Sequence, residues 1–123
     1  KIFRKNKVHI LHCTSSYPCL SKNLNLPKIE LLKKHFKSVG FSDHSLGVYA
    51  SFIAMSYKID FIEKHFTLDK KLPGRDNKFA ILPEELNQLS NFRKFYKNAK
   101  KFINKNFLEC EVEARNKYRG RWG

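Results

Sequence analysis

Three short β-favouring runs, at residues 8–12, 38–44 and 59–66, each end in polar side chains, and each is followed by a stretch with helical character. That alternation restricts the fold more than any other feature of the chain. The first run, Val8-His9-Ile10-Leu11-His12, passes into Cys13-Thr14-Ser15-Ser16-Tyr17-Pro18, a polar loop closed by proline. Residues 27–36 place Ile29, Leu32 and Phe36 at helical spacing, with Pro27 in the first turn, where its missing N–H is not needed. Residues 47–57 are apolar and small-residue rich, which suits a helix packed on a sheet. A polar loop at 67–82 holds Pro73-Gly74, and residues 83 to 102 carry Leu86, Leu89, Phe92 and Tyr96 on one helical face. Strands separated by helices at this pitch pair in parallel through right-handed crossovers. The expected fold is therefore an α/β sheet or barrel, with ligands at the C-terminal edge of its strands.

Composition narrows the function classes. The chain has 123 residues, 41% of them hydrophobic, including 11 Phe, which is enough for a packed core and argues against disorder. Its net charge of +14, from 25 Lys+Arg against 11 Asp+Glu, raises a nucleic-acid reading. The distribution speaks against it, because Lys33, Lys34, Lys37, Lys94, Lys97, Lys100, Lys101 and Lys105 fall on helices and tail as a solvated face. Neither zinc-finger spacing nor a basic zipper accompanies the charge. Three cysteines without a CxxC pair imply neither a disulfide framework nor a structural zinc site, and a reducing, cytoplasmic setting is expected. Apolar runs are too short for a membrane span. The first residue is Lys1, with no initiator methionine, and apolar sequence follows almost at once, so the chain reads as a fragment. After residue 101 the tail is rich in Lys and Asn, and periodicity suggests no element up to Arg119-Gly120-Arg121-Trp122.

Side chains alternate along a strand, so Ser42 and His44 share one face, as do Glu63 and His65, and as do His12 and Thr14. Neighbouring strand ends are thereby expected to aim hydroxyl, imidazole and carboxylate groups at one mouth. Two neutral imidazoles from different strands make a reasonable start for a divalent transition-metal site with open positions. Spacing alone leaves a second reading standing, in which each histidine is a satisfied core or surface residue. His9 and His35 are expected to be structural. Asp43 either orients its neighbour His44 or caps the following helix, and the cap is the simpler expectation.

The strings His12-Cys13-Thr14-Ser15-Ser16-Tyr17-Pro18, Gly40-Phe41-Ser42-Asp43-His44-Ser45-Leu46-Gly47 and Ile62-Glu63-Lys64-His65-Phe66-Thr67-Leu68-Asp69, followed by Pro73-Gly74-Arg75-Asp76, stand in one order across residues 7 to 100. Together they resemble the sialic acid (N-acetylneuraminate) synthase family. The resemblance implies a (β/α)8 TIM barrel, of which residues 1–102 supply roughly the last three βα units and residues 103–123 a tail. Condensation of phosphoenolpyruvate with an N-acetylated amino sugar such as N-acetylmannosamine, with release of phosphate, is the implied activity. Also implied is a manganese-type divalent ion on His44 and His65, with magnesium or cobalt as alternatives. Ser42 then matches a phosphoenolpyruvate contact, Ser15 and Tyr17 match positions near the sugar, and Asp76 matches an acid that contacts the sugar hydroxyls. His65, Asp76 and Glu63 are the candidate catalytic residues, Glu63 matching an acidic strand position. A homodimer is an implied possibility for the full-length protein, with no nucleic-acid or membrane partner.

Such chemistry suits these residue types. A divalent ion acts as a Lewis acid on an aldehyde oxygen, and a fixed cation in a water-poor site stabilises the charge that develops there. The sequence departs from the family pattern at Arg75 and Asn77, where many members carry proline and histidine around the aspartate, which leaves sugar selectivity open. It has no room for the antifreeze-like domain of many members, and the phosphate-binding lysines would lie in a missing N-terminal half. The chain alone is expected to be inactive and, with open sheet edges, to aggregate or remain partly molten. Two other readings compete: another TIM-barrel divalent-metal aldolase or hydrolase, since barrels host many chemistries, and a basic non-catalytic binding module.

Overall fold

A computed structural model describes residues 8–121. The element order is β1 (Ile10–Cys13), α1 (Lys28–Lys33), β2 (Val39–Asp43), α2 (Tyr49–Ser56), β3 (Ile62–Lys64), α3 (Pro83–Ala99) and α4 (Val112–Tyr118), with short 3-10 turns at Ser21–Asn23 and Glu109–Glu111. The three strands form one parallel sheet in the order β1-β2-β3, as the alternation of the sequence requires. Register aligns Cys13 with Ser42 and Ser42 with Glu63 on one face, and His12 with Phe41 and Phe41 with Ile62 on the other.

Every residue of the central strand β2 is buried. Its apolar side chains Val39 and Phe41 pack with Ile29 of α1, with Ala50 and Ala54 of α2, and with Cys19, Leu24 and Leu26 of the β1–α1 loop. Burial of a side chain such as Phe41 contributes about 2 kcal/mol. Small residues on α2 let it lie close to the sheet. A second cluster, Val48, Ile81 and Leu89 with Phe52 and Met55, joins α2 to α3, where Phe52 stacks on Phe92 with centroids 4.2 Å apart. The α3 start is closed by Glu85, whose carboxylate accepts the Leu82 N–H at 3.0 Å, and Pro83 occupies the first turn.

The elements fall where the sequence places them, most with shorter ends, while β1 runs one residue further, to Cys13. Helix α2 starts at Tyr49 because Gly47 takes a left-handed φ of +66°, which turns the chain before the helix begins. The third run narrows to Ile62–Lys64, although Asp60 N and Phe61 O still bond to Val39 O and Phe41 N. The tail is a correction, for α4 occupies part of the stretch read as having no element. Its signals are electrostatic: Glu109, Glu111 and Glu113 stand at the starts of the 3-10 turn and α4, while Arg115 and Lys117 stand in the last turn of α4. Arg115 also sits over the Phe107 ring at 3.7 Å. Trp122 lies outside the described residues. Among the described residues no helix is long and apolar enough to cross a membrane.

Candidate active site

His44 follows the last residue of β2 and His65 the last residue of β3, so adjacent parallel strands deliver both imidazoles to one edge. Their ring centroids are 5.4 Å apart with planes inclined at 46°. Beneath them, Ser42 Oγ donates to Glu63 Oε1 at 2.8 Å and lies 3.4 Å from His44 Nε2. Ser42, His44, Glu63 and His65 thus share one face, as strand alternation requires.

It does not hold for β1. His12 lines up with Phe41, stacks on that ring at 5.8 Å, and bonds through Nε2 to the Leu24 carbonyl at 2.7 Å. It belongs to the helix-facing core, and Cys13 takes the place on the site face that was expected of His12. Alternation along one strand fixes which residues share a face, but only inter-strand register decides which set meets its neighbours, and a one-residue offset exchanges the two faces. Cys13 Sγ lies 3.8 Å from His44 Nδ1 and 3.7 Å from Ser15 Oγ. Ser15 is exposed and reaches the cluster through Cys13 alone.

The β1–α1 loop closes over the histidines. His44 Nδ1 bonds to the Thr14 carbonyl at 3.1 Å, and the Cys19 N–H donates to the His44 carbonyl at 2.8 Å. Between these ties the loop, whose Tyr17–Pro18 peptide is cis, lays the Tyr17 ring against His44 with centroids 4.2 Å apart and at 6.0 Å from His65. With Nδ1–H donated to a carbonyl, the His44 lone pair resides on Nε2, the tautomer that a metal ligand needs.

On the other side the 67–80 loop returns to the site because Ile81 N–H donates to the His65 carbonyl at 2.8 Å and Thr67 N–H to the Ile81 carbonyl at 3.0 Å. The return brings Asp76 Oδ2 to 3.5 Å from His65 Nδ1. Phe79 stands edge-on to His65 at 5.4 Å and faces Tyr17 at 5.5 Å. Sequence reasoning passed over Phe79, although its position one turn beyond Asp76, whose carbonyl accepts the Phe79 and Ala80 N–H groups, ties it to that residue.

Asp43 does not cap α2. The residue before the helix is Val48, without a side-chain cap bond. Asp43 is instead buried on the opposite face of β2, where Oδ1 accepts the Ser45 N–H and hydroxyl, Oδ2 accepts the Ser51 hydroxyl, and Lys64 Nζ lies 3.0 Å away. His9, as expected, is structural in its contacts, bonding Ser38 Oγ at 2.8 Å at the far end of the strands.

Among the described residues no group of three or more His, Cys, Asp and Glu side chains converges on one metal position. The residues able to hold an ion are therefore the two imidazoles, and the remaining positions would be left for water or substrate oxygen. A groove of about 810 Å³ runs between β3 and α3 and is lined by Met55, Ile62, Phe66 and Leu86 among others. None of Tyr17, Ser42, His44, His65 and Asp76 lines it, so the chemistry-bearing groups lie outside this groove.

Comparison with known proteins agrees with the strings read from the sequence. The chain is 41% identical over 87 residues to the N,N'-diacetyllegionaminic acid synthase of Campylobacter jejuni, an alignment covering 70% of this chain and 26% of that protein. It is 39% identical over 88 residues to the N-acetylneuraminate-9-phosphate synthase of Drosophila melanogaster, covering 70% and 24%. The chain thus spans about a quarter of the length of these curated relatives. The crystal structure of an N-acetylneuraminic acid synthetase from Leptospira borgpetersenii, in complex with citrate, superposes with a TM-score of 0.69 at 33% identity, over 89% of this chain and 40% of that one. A model of the NeuB family matches residues 2–104, and the chain belongs to that family.

Proposed function

We propose that the protein carrying this chain condenses phosphoenolpyruvate with an N-acetylated amino sugar to form a nonulosonic acid and release phosphate, and that this chain is the last three βα units of its (β/α)8 barrel. The observation that supports the reading is the convergence of His44, His65, Tyr17 and the Ser42–Glu63 pair at the C-terminal edge of a parallel sheet, the edge at which barrels carry their sites. Membership of the NeuB family and the synthase names of its relatives point the same way.

In this reading His44 Nε2 and His65 would hold a divalent ion, manganese with magnesium or cobalt as alternatives. When bound, that ion supplies Lewis-acid polarisation of the sugar's open-chain aldehyde. The chain's own residues position the reactants. Tyr17 and Phe79 form an aromatic wall against which a sugar can lie, and Asp76, more than half exposed, is free to accept its hydroxyls. Ser42 offers a hydroxyl to phosphoenolpyruvate if it releases Glu63. The enol carbon then bonds to the aldehyde carbon, whose oxygen takes up a proton and becomes the new hydroxyl; water adds to the resulting oxocarbenium carbon, and the carbon–oxygen bond to phosphate breaks as that carbon becomes a ketone, the hydroxyl proton leaving with the phosphate. Glu63, a carboxylate on the same face as the imidazoles, can take the proton that the water gives up.

The test is phosphate release from phosphoenolpyruvate by the full-length protein, assayed across several N-acetylated amino sugars before and after chelation. Release that requires a sugar, stops with chelator and returns with manganese is expected. Release without a sugar, or unchanged by chelation, overturns the reading.

A further inference from the structure

The backbone ladder between β2 and β3 ends at the Asp43–Lys64 register pair, one residue before His44 and His65. Past that point the His65 carbonyl accepts the Ile81 N–H, and Phe66 pairs with Ile81. The last direct tie between the two strand ends is therefore made by side chains. Lys64 Nζ lies 3.0 Å from Asp43 Oδ2, with the two side chains 4% and 0% exposed, and it donates to the Ser45 carbonyl at 2.7 Å. Asp43 Oδ1 accepts the Ser45 N–H at 2.8 Å and the Ser45 hydroxyl at 2.6 Å, and Oδ2 accepts the Ser51 hydroxyl from α2. Both residues adjoin an imidazole in sequence and point to the opposite face, so neither touches the reacting groups. His44 is thus held on both flanks, by Asp43 before it and by Ser45, bound to both charges, after it.

A buried ion pair is weak evidence for stability, because desolvation offsets most of the attraction and well-packed apolar residues often do as well. What it adds is directional: a carboxylate with fixed acceptor geometry defines where its donors stand. We propose that Asp43 and Lys64 are positioning residues that set the separation and ring orientation of His44 and His65 from behind the sheet. The inference rests on the reading of those histidines as a metal pair, since a pair without a shared ligand has no need of a fixed separation.

The experiment compares the full-length parent with Asp43→Asn/Lys64→Met, which removes both charges and leaves no lone buried one, and with Asp43→Asn, which is nearly isosteric and keeps an acceptor for Ser45. Thermal melting establishes that each is folded. In the metal-free proteins, nitrogen chemical shifts of labelled histidine rings report the tautomer, and a Mn2+ titration followed by electron paramagnetic resonance gives the affinity, with His44→Ala as the control for specific binding. In a folded variant, the His44 ring is expected to shift from a single Nδ1–H tautomer towards an average of both. Mn2+ affinity should fall by up to about tenfold, the lower end of the range for losing a group bonded to the ligating ring itself. Unchanged ring shifts and unchanged Mn2+ affinity in a folded variant overturn the proposal, and lowered melting alone marks the pair as merely structural. A parent that fails to bind Mn2+ through His44 sinks the metal reading instead, and the ring shifts, which need no metal, still decide the positioning role.

Discussion

His65 Nδ1 stands 3.5 Å from Asp76 Oδ2, and the two side chains are 33% and 56% exposed. Charge-assisted hydrogen bonds are shorter, about 2.7–2.9 Å, so this is a loose contact that leaves Asp76 free for another partner. His65 itself is fixed by its backbone, through the Ile81 N–H on its carbonyl. The two residues should therefore fail in different ways when truncated.

If the proposed synthase reading holds, His65→Ala in the full-length protein should lower kcat and kcat/KM together by about a hundredfold or more, as loss of one strong electrostatic stabiliser does. Its melting temperature should hardly change, because the ring makes aromatic contacts at the site without entering either core cluster. Asp76→Ala should mainly raise KM for the amino sugar and leave that for phosphoenolpyruvate near normal. Steady-state kinetics with each substrate varied separates the patterns. A His65 variant that unfolds while keeping turnover per folded molecule would make the histidine structural.

Much of this site was legible because strand alternation is strict: Ser42 with His44, and Glu63 with His65, follow from parity alone. The family resemblance then pointed to Tyr17 and Asp76, which a pattern argument would leave as loop residues. His12 was misplaced because register between strands is a tertiary property that one strand's pattern does not contain. Asp43 was misread for a related reason. An aspartate just before a helix looks like a cap, and nothing local reveals that Lys64, on the next strand, lies directly across from it. Helix α4 escaped notice since its exposed residues form no apolar stripe, and only its end charges mark it.

Gly40 tests the sheet rather than the chemistry. A Cβ at that position would lie 2.6 Å from Phe61 Cε2 and 2.8 Å from the Phe61 carbonyl oxygen. The ring could swing away, but the carbonyl belongs to the backbone that accepts the Phe41 N–H. Gly40→Ala should therefore destabilise the protein by about 1–3 kcal/mol, the usual range for overpacking. Urea unfolding of the full-length protein reads the difference, and a variant as stable as the parent would mean that β2 and β3 do not approach so closely.

Cys19 is buried in the core cluster, and burial pushes its thiol above the ordinary value of 9.0, with the nearby Asp43 carboxylate and Cys13 adding to the rise. In the folded protein it should stay protonated where the unfolded chain has already ionised. The resulting stabilisation is present below the ordinary thiol range and is lost as pH climbs through the higher folded value. Two measurements check this. Unfolding free energy should decline above pH 9.0 less steeply in Cys19→Ala than in the parent, and a maleimide at neutral pH should label the exposed Cys13 and Cys110 well before Cys19.

Expressed alone, the 123-residue chain should associate through its open edges. Among the described residues β1 and β3 each pair on one side only, which leaves a row of N–H and C=O groups on each outer edge. Such edges recruit strands from other molecules unless they are covered or charged. Little covers these. The groove of about 810 Å³ beside β3 is lined by the half-buried Met55 and Ile62 and the exposed Phe66 and Leu86, and Leu68, Phe95 and Phe102 are 73%, 69% and 89% exposed. The many lysines add repulsion between copies, but this is screened by salt over about 10 Å at 0.1 M, whereas edge pairing and apolar contact are not. Light scattering and a dye that binds apolar surface should thus show soluble but sticky material at low ionic strength and association as salt is raised. A monomeric product that melts cooperatively and stays dye-silent across that range would show that this sheet closes its own edges.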